Sequence, residues 1–455
     1  MLSCFVTAAA QSVAIEVLTL ELYPRWLESQ SEFIKNWLAS TQFRAQANAF
    51  SLLPDAKGLL TKVIVCVSDA KHFWGVGNLP QALPEGVYAF QEPLDNLPAF
   101  ALAWGLGAYQ FNRYKTSTKK PAQLVVSQDI DLIQHQVAAI YDVRDLVNTP
   151  TENMGPSELA TAARELASQY KASFTEIIGD DLLTENYPCI HTVGRACDDA
   201  PRLLDLRWGL STHRKLTLVG KGVCFDTGGL DIKTASGMTL MKKDMGGAAH
   251  VLGLARMIMA AKLPIALRVL IPAVENSVSG NAYRPGDVIR SRKGLTIEIG
   301  NTDAEGRVVL ADALTEAASE NPDLIIDIAT LTGAARVALG TELPAMFTNQ
   351  DAIATELLLH AEKEQDPLWR LPLFGLYRDA INSSIADINN NTADSYAGAI
   401  TAALFLQEFV NKDTPWVHFD LMAWNLKTRP GRPQGGEAMG LRAMFSFLRA
   451  WSAGN

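Results

Sequence analysis

Apolar residues recur along the chain with two periods, and the periods mark out its elements. Alternating or continuous apolar runs at Val13–Leu22, Leu60–Val67, Val87–Phe90 and Ala122–Val126 predict strands, while Glu28–Ser40 and Ala99–Tyr109 carry helical spacing. The expected apolar face of the first helix is Phe33, Ile34, Trp37 and Leu38. A long helical pattern runs from Asp129 to Asn148 and stops at Thr149-Pro150, because the residue before a proline avoids the helical region. Pro156-Ser157 opens the next helix, Glu158–Tyr170, with Ser157 as its expected N-cap. Beyond it, strands at Ser173–Ile178, Leu203–Trp208, Lys215–Val219, Ile265–Ile271, Leu295–Ile299, Leu324–Ile328 and Trp416–Leu421 are interleaved with helices at Gly247–Ala261, Arg307–Ser319, Ala352–Lys363, Ala397–Val410 and Glu437–Trp451. Such alternation predicts an α/β fold, a mainly parallel sheet flanked by helices on both faces. The expected organisation is a smaller N-terminal α/β domain, residues 1–128, with a structural or assembly role, and a larger domain, residues 129–455.

Composition narrows the class. A chain of 455 residues, 48% hydrophobic, can bury a large core. Its formal net charge of −9 argues against a generally nucleic-acid-binding surface. The five cysteines (Cys4, Cys66, Cys189, Cys197, Cys224) are odd in number and form no CxxC pair, which fits reduced thiols in a cytoplasmic protein. Residues 1–22 lack a basic n-region, so no signal peptide is expected, and no apolar run is long enough to span a membrane.

Charge gathers in three stretches of the second domain. Gly220-Lys221-Gly222-Val223-Cys224-Phe225-Asp226 sets Lys221 and Asp226 at a strand end among glycines, which let backbone approach a ligand. Lys242-Lys243-Asp244 comes just before a helix, and Asn301-Thr302-Asp303-Ala304-Glu305-Gly306-Arg307 lies between a strand and a helix. Singly, each has a plain explanation. Asp244 fits a helix-start acid, and Asp303 and Glu305 fit turn and first-turn acids with Arg307 as a surface partner. The glycine loop lacks phosphate-loop spacing. Together, four carboxylates at strand ends would repel one another unless a strong positive charge lay between them, and divalent metals supply it. Oxygen-rich ligation suits Zn²⁺, Mn²⁺ or Mg²⁺ in a two-metal cluster. Lys221 could join only as a neutral amine. The histidines show no site-like spacing, His250 reads as packing, and no Gly-x-Ser-x-Gly is present.

These three stretches, with Asn148-Thr-Pro150, Ala329-Thr-Leu-Thr-Gly-Ala334 and Ala397-Gly-Ala-Ile-Thr-Ala402, resemble the signature set of the leucine aminopeptidase family, two-metal exopeptidases of the cytosol. The resemblance covers Val143 to the C-terminus and implies two divalent ions per subunit, Zn²⁺ or Mn²⁺, with Mg²⁺ or Co²⁺ as further candidates. It implies one ion on Asp226, Asp303 (with its carbonyl) and Glu305, and the other on Lys221, Asp226, Asp244 and Glu305, so that Asp226 and Glu305 bridge. Lys233 matches the family's second active-site lysine, and Arg307 matches the arginine that holds a bicarbonate acting as general base. Met241, Asn301, Thr330, Leu331 and Gly333 match positions near the first substrate residue, although on sequence alone Met241 and Leu331 fit core residues and Asn301 a turn. The implied reaction is attack on the first peptide bond by a hydroxide bridging the two ions, on short peptides with a free N-terminus, in a homohexamer. Two departures stand out. Asp420-Leu-Met-Ala423 replaces the family's Asp-Ile-Ala-Gly, putting a leucine preference in doubt, and Thr227 follows Asp226 where serine is commoner. The alternative is a non-catalytic member of the same fold, a binding or DNA-binding regulator.

Overall fold

A computed structural model describes residues 2–69, 71–91, 96–127 and 129–454. The chain divides into two compact units, Met1–Tyr141 with Lys427–Gln434, and Asp142–Leu426 with Gly435–Asn455. The division falls within the Ile130–Asn148 helix, near whose start the boundary at 128/129 was expected; Gln128 lies outside the described residues.

The first unit carries a six-stranded sheet in the order Phe5–Val6, Gln123–Val125, Val87–Phe90, Val13–Thr19, Leu60–Val67, Phe50–Pro54, parallel except for the last pair. The expected helix Glu28–Ser40 is two helices, Tyr23–Glu28 and Glu32–Ser40. The chain breaks because the Ser31 hydroxyl accepts from the Ile34 N–H at 3.4 Å and starts a new helix. Of its expected apolar face only Leu38 is buried, while Phe33 and Trp37 are 46% and 36% exposed.

The second unit is built on a nine-stranded sheet. Its central strands run parallel: Trp416–Asp420, Leu324–Ala329, Arg214–Gly220 and Ile265–Asn276, with Gly222–Asp226 also parallel to Ile265–Asn276. Antiparallel pairings extend both edges, through Arg202–Trp208 and Ser173–Ile178 on one side and Ala345–Thr348 on the other. Helices Gly246–Ala260 and Glu305–Ser319 pack on opposite faces of the central strands. The alternation of a strand shows it: Val219 joins the core cluster of Val308, Leu310 and Leu314, whereas a side chain on Gly220 would strike Ala248 and Val251. The Glu305–Ser319 helix is buried nearly all round by apolar residues, and Asn321 in a left-handed conformation with Pro322 after it ends it.

Three expectations need correction. The Leu295–Ile299 strand is the shorter Thr296–Glu298 and lies outside the main sheet, in a three-stranded one with Val288–Arg290 and Ile388–Asn389. Ser157 is not an N-cap, since the helix starts at Pro156 and the Gly155 N–H donates to the Glu158 carboxylate at 3.1 Å. The last helix begins at Leu441, because Gly440 before it is left-handed at φ +70°. Among the described residues no helix is long and apolar enough to cross a membrane.

Candidate metal centre

The parallel strands end together, and the polar residues of the site follow those ends. Lys221 comes directly after Arg214–Gly220, Thr330 after Leu324–Ala329, while Asp226 and Asn276 close their own strands. Ligand sites in open α/β sheets form at this carboxyl edge. Asp244 arrives from a 3-10 turn, Met241–Met245, just before the Gly246–Ala260 helix, and Glu305 and Arg307 occupy the first turn of the opposite helix. Glycines let these pieces close up. A Cβ on Gly247 would lie 2.0 Å from the Ile328 carbonyl oxygen, and one on Gly306 would lie 2.5 Å from Lys221 Cε.

Three of the four expected carboxylates converge. Oxygens of Asp226, Asp244 and Glu305 lie within 4.8 Å of one another, and all three residues are buried. Asp303 is set apart, with its side chain 32% exposed, and joins through Lys233, whose Nζ is 2.7 Å from Asp226 Oδ2 and also donates to Asp303 Oδ1. Lys221 Nζ donates to Asp244 Oδ2 at 2.5 Å and lies 2.8 Å from Glu305 Oε1. Two ammonium groups therefore sit among four carboxylates.

The titration behaviour reflects that shortage of positive charge. Burial, then the Asp226 charge, pushes Glu305 up to about 8, and the same two causes push Asp303 to about 6. Burial works against Asp244 as well, yet the Lys221 and Lys243 charges win and hold it down at about 2. Burial lowers Lys221 and Lys233, but Asp244 and Glu305 around the first and Asp226 around the second outweigh it, so both stay charged well above the ordinary lysine value. At Lys243 and Arg307 burial outweighs the neighbouring acids, Asp244 for the first and Glu305 for the second, and takes them to about 8 and about 10. Arg307 is 8% exposed and donates from Nη1 to the Asn390 carbonyl at 2.9 Å, so it is no surface partner of the acids.

The donor set fits hard dications. Closely spaced buried carboxylate oxygens, one of them pushed toward neutrality by burial and the Asp226 charge, are what a cation would compensate. Next to Asp226, the buried amide oxygen Asn276 Oδ1 has no hydrogen-bond partner among the described residues.

Of the expected substrate-side residues, Thr330 reaches the cluster directly. Thr330 Oγ1 donates to Asp244 Oδ1 at 2.7 Å, Leu331 packs against Gly306, and Asn301 Oδ1 accepts the Asp303 N–H at 2.8 Å. Met241 opens the turn that carries Asp244, and Gly333 opens the helix Gly333–Leu339. His250 packs as expected, bonded through Nδ1 to the Gly246 carbonyl and through Nε2 to the Met439 N–H.

Supporting residues to which the sequence assigned no role are Asn276, Thr302, Asn390 and Asp420. The Asn276 amide donates to Asp226 Oδ1 at 2.9 Å and to the Thr302 carbonyl at 3.0 Å. Thr302 Oγ1 donates to the Gly228 carbonyl at 2.6 Å, and its N–H to Asp231 Oδ2 at 2.8 Å. Asp420 accepts from the N–H groups of Leu331 and Thr332 and from the Thr332 hydroxyl. Their partners lie far along the chain, so the local sequence does not show what they hold.

The chain is similar to known proteins in both sequence and fold. Residues 142–445 match the cytosol aminopeptidase family, catalytic domain, and residues 13–127 match the M17 aminopeptidase, N-terminal domain. The chain is 42% identical over 364 residues to a probable cytosol aminopeptidase of Syntrophotalea carbinolica, covering 75% of this chain and 73% of that one. It is 44% identical over 316 residues to Peptidase B of Serratia proteamaculans, covering 67% and 73%. Among solved structures, the cytosol aminopeptidase from Coxiella burnetii superposes with a TM-score of 0.96 at 50% identity, over 99% of both chains. The bottromycin maturation enzyme BotP in complex with Mn superposes with a TM-score of 0.88 at 30% identity, over 97% of this chain and 100% of that one.

Proposed function

The chain belongs to the cytosol aminopeptidase family and is a metallo-aminopeptidase, and from that premise we propose how its own residues divide the work. One divalent ion is held by Asp226, Asp303 and Glu305, with the Asp303 carbonyl, and a second by Lys221, Asp226, Asp244 and Glu305. The buried cluster of Asp226, Asp244 and Glu305 carries this reading. Mn²⁺ or Zn²⁺ is the proposed metal, with Mg²⁺ and Co²⁺ as further candidates, and the Mn complex of BotP at 30% identity supports testing Mn²⁺ first. Bound dications supply Lewis acidity, lowering the pKa of water and polarising a carbonyl oxygen.

The surrounding side chains complete the chemistry. Lys233 stays charged, and its ammonium lies between Asp226 and Asp303, where it offers a donor to an oxyanion developing on the scissile carbonyl. Arg307 is the proposed holder of a bicarbonate, which would supply a general base beside the metal centre. Two features suit it to an anion: it is buried, and its Nε has no hydrogen-bond partner among the described residues. Met241, Asn301, Thr330, Leu331 and Gly333 are proposed to receive the first residue of a short peptide whose free amine anchors it. The regulator alternative is not favoured, because residues 142–445 match the catalytic domain of the family. We propose further that the enzyme is cytoplasmic, in keeping with its five unpaired cysteines, and homohexameric, which light scattering on the purified protein will check.

The deciding experiment uses purified protein loaded with Mn²⁺ or Zn²⁺ and a panel of amino-acid amides. Wild type should release the N-terminal residue, and Asp303→Ala should lower kcat/KM by about 100-fold or more. Undiminished turnover by Asp303→Ala would remove that residue from the ligand set.

A further inference from the structure

The loop that delivers Asp303, Glu305 and Arg307 is held along its length by one neutral side chain from a distant part of the chain. Asn390 is fully buried, and its amide uses every hydrogen bond it can make on this loop. Its Oδ1 accepts from the N–H groups of Gly300 at 2.8 Å and Asn301 at 3.2 Å. Its Nδ2 donates to the carbonyls of Asn301 at 2.8 Å and Ala304 at 3.3 Å. With N–H groups on one side and carbonyls on the other, the amide can face only one way. The backbone of the same residue adds two fixings. Its N–H donates to the Glu298 carbonyl at 3.0 Å, and its carbonyl accepts from Arg307 Nη1 at 2.9 Å.

The three-stranded sheet places Asn390 there. Ile388–Asn389 pairs in parallel with Thr296–Glu298, in register Ile297 to Ile388 and Glu298 to Asn389, so both strands emerge side by side at the start of the loop. The Asn390 side chain thus meets both a carbonyl and an N–H of Asn301 while its own backbone carries Arg307.

We propose that Asn390 is a positioning residue for the metal centre. Its amide fixes the curvature that brings Asp303 and Glu305 to their ligating places, and its carbonyl aims the Arg307 guanidinium. Asn390 touches neither metal nor substrate and acts through these groups. The proposal rests on the reading of the Gly300–Arg307 loop as metal-binding.

Asn390→Asp and Asn390→Ala test it, with Asp387→Ala as control. The Asp387 carboxylate accepts from the Thr296 N–H and hydroxyl, so the control loosens the same small sheet away from the loop. Asn390→Asp keeps the shape but sets a carboxylate against the carbonyls of Asn301 and Ala304. For each protein, circular dichroism reports the fold, calorimetric titration of the metal-stripped protein gives the Mn²⁺ affinity, and amide hydrolysis at saturating Mn²⁺ gives kcat and KM. Both Asn390 variants should stay folded, bind Mn²⁺ about 10–100-fold more weakly, and lose kcat by at least about tenfold while KM moves less than about threefold. Asp387→Ala should match wild type in affinity and kcat.

Wild-type Mn²⁺ affinity and kcat in Asn390→Asp would overturn the proposal. So would an equal loss of affinity in Asp387→Ala, and so would failure of both Asn390 variants to fold, which would make Asn390 a folding residue. Asp303→Ala, titrated alongside, separates the two readings. Unchanged Mn²⁺ binding there defeats the metal-centre assignment itself, whereas binding lost in Asp303→Ala but kept in Asn390→Asp defeats only the role of Asn390.

Discussion

His250 shows how strongly one buried side chain can be committed by its partners. The Gly246 carbonyl can only accept and the Met439 N–H can only donate, so the ring is neutral with its proton on Nδ1. Burial is the main reason its pKa falls to about 4 from an ordinary value near 6.5. A folded-state pKa below the unfolded one means that stability is complete above about pH 6.5 and drains away as pH falls toward 4. Between pH 7.5 and pH 5 this group alone should cost about 2 kcal/mol. Urea unfolding of wild type and His250→Asn at both pH values checks it, and equal pH dependence in the two proteins would refute it. At this scale the charged residues were legible and the neutral ones were not. Lys221, Asp226, Asp244, Asp303 and Glu305 stand out because charge at strand ends is costly without a purpose. Asn390 and Asn276 carry no charge, and their side-chain partners lie 86–90 and 26–50 residues away, so only the folded chain reveals them.

Two glycines near the centre separate the demands of packing from those of chemistry. Gly247 lets the Gly246–Ala260 helix touch two strands, backbone to backbone: the Ala248 N–H donates to the Lys221 carbonyl, and a Cβ at 247 would strike the Ile328 carbonyl. A carbonyl in a buried strand cannot step aside, so Gly247→Ala should destabilise the protein by about 3 kcal/mol or more. Gly306 instead faces the movable end of Lys221. There an alanine gains up to about 1 kcal/mol of helix propensity, which offsets part of the clash. Gly306→Ala should therefore stay folded, yet lose metal affinity as the Lys221 amine is displaced. Thermal unfolding and Mn²⁺ titration of the two variants will show the contrast, and identical profiles would contradict it. The main elements were readable because helix and strand periods differ, while their placement was less so. Leu295–Ile299 has the apolarity of a main-sheet strand, yet its backbone pairs with Ile388–Asn389, a two-residue strand too short to leave a periodic signal.

At the level of the whole molecule, the alternation of strands and helices announced the α/β class. It could not announce that Lys427–Gln434 groups with the first unit, since that depends on contacts across nearly the full length of the chain. The acid-rich centre belongs wholly to the second unit, and Lys221 has a consequence there for how the protein meets its surroundings. Its ammonium, 2.5 Å from Asp244 and 2.8 Å from Glu305, already serves as counterion to the cluster. On the proposed ligand set a dication takes over that duty, so Lys221 must shed its proton, and Glu305, held near pH 8, must shed the share it retains. Metal uptake at pH 7.5 should then expel at least about one proton per chain. The heat of Mn²⁺ binding should differ between two buffers of unlike ionisation enthalpy, and equal heats would take Lys221 out of the ligand set. The centre is in this sense a proton-for-metal exchanger: a fall in pH and a fall in metal supply push it the same way, so acidification alone can empty the enzyme.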